Sequence, residues 1–164
     1  MSDEADHQQP DPPNSPERLE PELTEDMFTR PDAVLQHLAD WSDAVSMDVV
    51  LYLPWGLASG TITSGAEYFR WIASTIRGAA AEKEPEVTRA ADVYANLFDN
   101  VVEVYARKID DPERRAVSTL GFMHLKDVTC ATPGSGSSLR QPYLRVQLSH
   151  VTAWTQGALQ FEPT

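Results

Sequence analysis

One stretch, residues 46–77 (SMDVVLYLPWGLASGTITSGAEYFRWIASTIR), limits the possible folds of this chain more than any other. Met47, Val49, Leu51 and Leu53 alternate with Asp48, Val50 and Tyr52. That two-residue period belongs to an extended segment with one face against a core. Trp55-Gly56 breaks the run, and residues 57–63, with Gly60 inside, read as a second extended segment. The pattern predicts a β-hairpin turning near Pro54-Trp55-Gly56. Ser64, with Glu67 three positions on, matches the reciprocal capping pair that opens a helix. Tyr68, Phe69, Ile72, Ile76 and Ala79 then continue at helical spacing. A hairpin that runs straight into a capped amphipathic helix makes a mixed α and β domain. It carries no catalytic signature.

The flanking sequence extends this nucleus. Residues 31–45 read as a helix, with Pro31 in the first turn, Asp32 at the positive end of the dipole, and Val34, Leu35, Leu38, Trp41 and Val45 on one stripe. The hairpin's helix is expected to end near residues 78–84, stopped by Pro85. Residues 87–109 form a second long helix, with Ala91, Tyr94, Phe98, Val101, Val102 and Tyr105 at intervals of three and four. The two helices suggest an antiparallel pair packed on the sheet, closed by turn chemistry at Asp110-Asp111-Pro112. Residues 117–129 return to extended structure, residues 132–138 (TPGSGSS) form a loop, and residues 143–148 alternate Leu144, Val146 and Leu148 inward with Arg145 and Gln147 outward. Residues 151–161, with Trp154 and a Gly157 break, supply a last strand or strand pair. No internal repeat is present.

Charge and cysteine content narrow the function classes. Residues 1–30 hold five prolines and nine acidic residues against Arg18 and Arg30 alone. Such a segment cannot bury enough apolar surface to offset ordering, so a disordered acidic tail is expected ahead of a single domain at 31–164. Across the chain, 13 Lys and Arg face 25 Asp and Glu, a net charge of −12. Phosphate backbones and anionic bilayers are both repelled, which argues against nucleic acid and against a membrane surface. The one basic cluster, Arg107, Lys108, Arg114 and Arg115, is interleaved with Asp110, Asp111 and Glu113. Cys130 is the single cysteine, so neither an intrachain disulfide nor a cysteine zinc site can form. With no secretory signal and no apolar run of roughly 18 residues, a cytoplasmic protein is expected.

Chemical constellations are weak. Ser59-Gly60 and the 134–138 run match neither a nucleophile elbow nor a phosphate loop. His124 and His150 on neighbouring strands, with Asp127, could imitate a metal site or line an enzyme pocket, but polar strand faces explain them as well. Asp110-Asp111 before a proline reads as a solvated turn, and Cys130 as an inert thiol. No catalytic residue, metal or cofactor is assigned. Trp71 lies near its helix stripe and is expected in the core. Trp55, at a hairpin tip, is expected to be partly exposed and to contribute to self-association.

Two resemblances add to this reading. The strand series VVLYLPWGLASGTI, FMHLKDVTC and LRVQLSHVTAWT, after a leading helix, is similar in order to a small Sm-like barrel with the two long helices inserted between strands 2 and 3. The Asp-x-Asn and basic-Gly motifs of RNA-binding Sm-like domains have no counterpart in Asp127-Val128-Thr129 or Leu148-Ser149-His150. Separately, LYLPWGLASGTITSGAEYF, GFMHLKDVTC and YLRVQLSHVTAWTQGAL resemble the gas vesicle accessory protein U family (GvpU). The residues that carry this are Gly56, Ser59-Gly60-Thr61, Ser64-Gly65 with Glu67-Tyr68-Phe69, His124-Leu125-Lys126-Asp127, and Arg145, Leu148, Ser149 and Val151. The resemblance implies a non-enzymatic accessory protein, on or near gas vesicles, affecting their assembly or clustering. Its implied partners are gas vesicle shell proteins and further copies of itself. The expectation is therefore an α+β fold, a small antiparallel sheet or Sm-like barrel, with Trp55, Leu57 and Trp154 as candidate interaction residues. An Sm-like oligomeric scaffold or RNA-binding module and a small enzyme are the competing readings.

Overall fold

The computed structural model describes residues 31–110, 121–135 and 137–159. In chain order these form helix α1 (Ala33–Asp40), strands β1 (Asp48–Leu53) and β2 (Gly56–Thr63), and helices α2 (Gly65–Ala80) and α3 (Pro85–Asp110). Strands β3 (Phe122–Ala131) and β4 (Ser138–Gln147), a 3-10 turn (Leu148–His150) and strand β5 (Ala153–Gln156) follow. The fold is α+β, with the helix pair between the second and third strands as the spacing predicts. The acidic tail, Asp111-Pro112, residues 117–120, and the side chains of Arg107, Lys108, Arg114 and Arg115 lie outside the described residues.

The hairpin turns at Pro54-Trp55, where Leu53 pairs with Gly56 and Tyr52 with Leu57. Gly56 is required here: it sits at φ +148°, and a Cβ would collide with the carbonyl oxygen of Ala131 on β3. The five strands run in the order β4-β3-β2-β1-β5, and each neighbouring pair is antiparallel. The two edges, β4 and β5, stand at opposite ends, so the sheet is open and the Sm-like barrel is not closed. The edges suit that role. β5 has only four residues, and β4 carries Pro142, which has no N–H to offer a further strand.

One buried cluster joins the layers: Leu35 from α1, Val49, Leu51 and Leu53 from β1, Ile62 from β2, Met123 and Leu125 from β3, and Val146 and Leu148 at the end of β4. The alternation in β1 and β4 thus points where its period predicts. Val50, on the opposite face, is buried as well. Its β2 partner Ser59 accepts a 3.0 Å hydrogen bond from the N–H of Leu159, so the chain after β5 returns over that face.

The helices correct the expectation in detail. α1 stops at Asp40, because the N–H groups of Ala44 and Val45 both donate to the Trp41 carbonyl in a turn that leads into β1. Asp32 is its cap, accepting from the Leu35 N–H at 2.9 Å. Leu35 is fully buried, whereas Val34 and Trp41 of the expected stripe are exposed. Pro85 begins α3 rather than merely ending α2, since a first-turn N–H would have no helical acceptor. α2 and α3 run antiparallel: Phe69, early in α2, stacks on Phe98, while the Thr88 hydroxyl, early in α3, donates to the Ala80 carbonyl. Arg77 ties the pair toward its connected end, 2.6 Å from Asp99 and 3.6 Å from Asp92, and donates to the Asn96 side-chain oxygen at 2.9 Å.

Candidate interaction surfaces

The seam between sheet and helix pair is aromatic. Met123 and Leu125 point into the sheet core, so His124 between them points the other way, toward α2 and α3. Its ring lies 4.8 Å from that of Tyr68, 5.7 Å from Phe69 and 5.9 Å from Tyr105. His124 is 4% exposed and its Nε2 atom is buried without a hydrogen-bond partner. Burial, helped by the positive charge of its cross-strand partner Arg145, holds the imidazole neutral and pulls its pKa down to about 4. Arg145 itself lies over the Phe122 ring at 3.8 Å and faces Phe69 at 5.5 Å. The expectation of a polar strand face for His124 is thus wrong, because the helix pair covers that face. The sequence signal for this seam was present in Tyr68-Phe69, directly after the Ser64 and Glu67 cap.

Beside the seam, Glu67 joins three elements. Ser64 caps α2 as predicted, its hydroxyl accepting from the Glu67 N–H at 3.0 Å. The carboxylate is used elsewhere: it accepts from Thr63 at 2.6 Å, from the Tyr143 hydroxyl at 3.0 Å and from the Lys126 ammonium at 3.3 Å. The Thr63 hydrogen bond leads in holding its pKa below the ordinary carboxylate value, with Tyr143 and Lys126 adding to it and burial opposing. Trp71, expected in the core, is half-buried against Tyr143 with ring centres 4.9 Å apart.

His150 and Asp127 do not join His124. His150 is exposed on the 3-10 turn, and Asp127 is exposed at an irregularity in β3, with φ +53°. Among the described residues no three His, Cys, Asp or Glu side chains are grouped to hold a metal ion. The convergence on which the enzyme reading depends is not formed by these residues. Cys130 is half-buried, and burial pushes its thiol pKa up, which keeps it protonated.

The sequence-predicted interaction residues divide by burial. Trp55 is 49% exposed at the hairpin tip, as its position predicts. It borders a half-open cleft of about 480 Å³ that is also lined by Cys130, Gln141, Leu139 and Leu144. Leu139 on β4 is itself exposed, a neighbour the sequence reading passed over. Leu57 is half-buried one residue past the turn glycine. Trp154 pairs with Leu51 across β1 and β5 and packs against the sheet core, so part of its ring is structural.

A second apolar surface lies on α3. Its inner side, with Ala95, Phe98 and Tyr105, meets α2 and the seam. Tyr94, expected on that inner stripe, is exposed, together with Val87, Val93, Leu97 and Val104. No helix among the described residues is long and apolar enough to cross a membrane.

No curated protein and no solved structure matches the chain. A family model described as gas vesicle protein GvpU-like matches residues 32–159, which takes in every helix and strand described above. The chain belongs to the GvpU-like family of gas vesicle proteins.

Proposed function

We propose that this gas vesicle protein is an accessory factor that works without catalysis, altering vesicle assembly or clustering by associating with itself and by touching the shell. Family membership supports the vesicle as its setting. The observation that carries the contact is Trp55, half-exposed on a rigid hairpin tip beside the Leu139 cleft. A tryptophan there offers a large part of its ring, which buries about 150–250 Å² in all, at the low entropic cost of an already ordered turn. Leu57 and Trp154 extend the candidate contact. Residues 1–30, with nine acidic and two basic side chains, act as a repulsive arm on a single domain at 31–164 and limit uncontrolled condensation. No cofactor and no nucleic acid take part.

Trp55→Ser tests the corner. The variant should keep its fold, since the side chain is exposed, and should co-float less with purified gas vesicles or self-associate less in the centrifuge. Unchanged flotation together with unchanged sedimentation removes Trp55 from the function.

A further inference from the structure

The sheet and the helix pair are held by separate sets of contacts. The buried cluster on one face of the sheet draws on α1 and the strands, with no residue from α2 or α3. The helix pair has contacts of its own: Phe69 on Phe98, Thr88 on the Ala80 carbonyl, and Arg77 on Asn96 and Asp99. Between the two bodies lies the seam, on the opposite face of β3 and β4. There the rings of Tyr68, Phe69 and Tyr105 stand around His124, Trp71 lies on Tyr143, and Glu67 reaches Lys126 and Tyr143. Parting the helices from the sheet therefore exposes the seam and leaves the other core covered.

His124 is the group in this seam that cannot carry a proton where it stands. Its Nε2 atom is buried without a partner, so an imidazolium there has an N–H with no acceptor. The charged and titratable groups on each side leave that charge uncompensated. From β4 the cross-strand Arg145 presents a guanidinium, a like charge. α2 presents Tyr68 and α3 presents Tyr105, two hydroxyls whose pKa values burial chiefly raises. On β3 the ammonium of Lys126 is met by Glu67, whose carboxylate also accepts from Thr63 and Tyr143. Asp43, in the turn after α1, acts electrostatically on Tyr105, and Asp127 on Tyr143. No carboxylate among the described residues meets Nε2.

We infer that this seam is a proton-sensitive joint, at which charging His124 parts the helix pair from the sheet while the sheet core stays folded. In place, the imidazole protonates near pH 4; once released to water, it does so near the ordinary value of about 6.5. Between those values the parted form binds more protons, so it gains as pH falls, by about twentyfold from pH 7 to pH 5. Parting also bares Tyr68, Phe69, Trp71, Tyr105 and Tyr143, so the joint sets how much aromatic surface the chain shows. The inference stands on the fold and needs no gas vesicle contact.

Amide hydrogen exchange on the full chain tests it, read by mass spectrometry and corrected for the intrinsic pH dependence of exchange. Off the sheet, two helices that bury mainly alanines between them should not keep their amides protected. At pH 7 and at pH 5 the α2 and α3 amides should be less protected than those of β1 and β2. Their protection should fall about twentyfold between the two conditions, and should hold nearly constant in His124→Phe. If that variant does not fold, the wild-type profile decides: the fall should begin below about pH 6.5 and level off near pH 4. Equal protection in helices and sheet overturns the joint, because the whole domain then opens as one unit. No fall, a fall that begins only in the carboxylate range, or a fall of equal size in His124→Phe overturns His124 as the trigger.

Discussion

The sheet layer and the helix pair bury very different side chains. Leu35, Leu51, Ile62, Met123, Leu125 and Leu148 in and around the sheet are almost wholly removed from water. In the helix pair the buried positions are Ala66, Ala73, Ala80 and Ala95, with Phe69 as the large exception. Alanines let two helices approach closely but remove little apolar area. Half of the large hydrophobic side chains exposed among the described residues lie on α3 alone. The sheet with α1 is a finished core, whereas the helix pair has one packed side and one that stands exposed. In a protein proposed to act by contact, that asymmetry separates the part that holds the fold from the part that meets other molecules.

The largest effect that sharpens this contrast comes from matched truncations. Leu51→Ala should lower unfolding stability by about 2–5 kcal/mol, the usual cost of a fully buried leucine. Leu97→Ala should change the stability of the dilute chain by no more than about 0.5 kcal/mol. Chemical denaturation of the two variants reads the difference directly. Equal losses would mean that α3's outer face is already covered within one copy.

Acid probes the seam between the two regions. The unfolded chain protonates His124 near the ordinary value of about 6.5, whereas the folded chain does not until about pH 4. Between those values the unfolded state therefore binds more protons, and stability falls as pH falls, by about 3 kcal/mol in total. The tyrosines facing His124 do not offset this: Tyr68 and Tyr105 stay neutral, their pKa values raised chiefly by burial. Glu67, whose folded pKa is lowered, adds a further loss only as its carboxylate protonates. Denaturant midpoints measured between pH 7 and pH 4 should fall for the native chain and fall less for His124→Phe. A parallel decline in both would remove His124 as the cause.

The smallest of the three effects concerns how closely the helices meet. A Cβ on Gly65 would overlap the Tyr105 ring, which is itself held by Phe69 and His124. Gly65→Ala should cost about 1–3 kcal/mol through overpacking, measured as a lowered unfolding midpoint. A neutral or stabilising result would show that Tyr105 moves aside freely and that the seam is looser than its ring geometry implies.

Much of the finished region was legible because its signals are local. Alternation in residues 47–53, the Trp55-Gly56 break and the Ser64 cap each fix geometry within a few residues, and the hairpin, its turn and the start of α2 stand where those patterns put them. The open edge was not legible. Whether β4 and β5 meet depends on long-range geometry, and strand order alone is compatible with either outcome. The inner stripe of α3 was read too broadly, since a helix with apolar residues on two sides has no single stripe, and only packing reveals that Phe98 turns inward while Tyr94 turns out. His124 escaped for a related reason. On a strand, period two says that it opposes Met123 and Leu125, but not that a helix pair inserted between β2 and β3 will cover it. Trp55 was correctly placed in the open because a turn tip has few neighbours.

Clustering of purified gas vesicles, followed by light scattering and microscopy, tests the proposed contact most directly. Wild-type chain should cluster them, and Trp55→Ser should attach and cluster them less. Vesicles joined as readily by Trp55→Ser as by the wild-type chain would contradict the assignment of the contact to the hairpin tip.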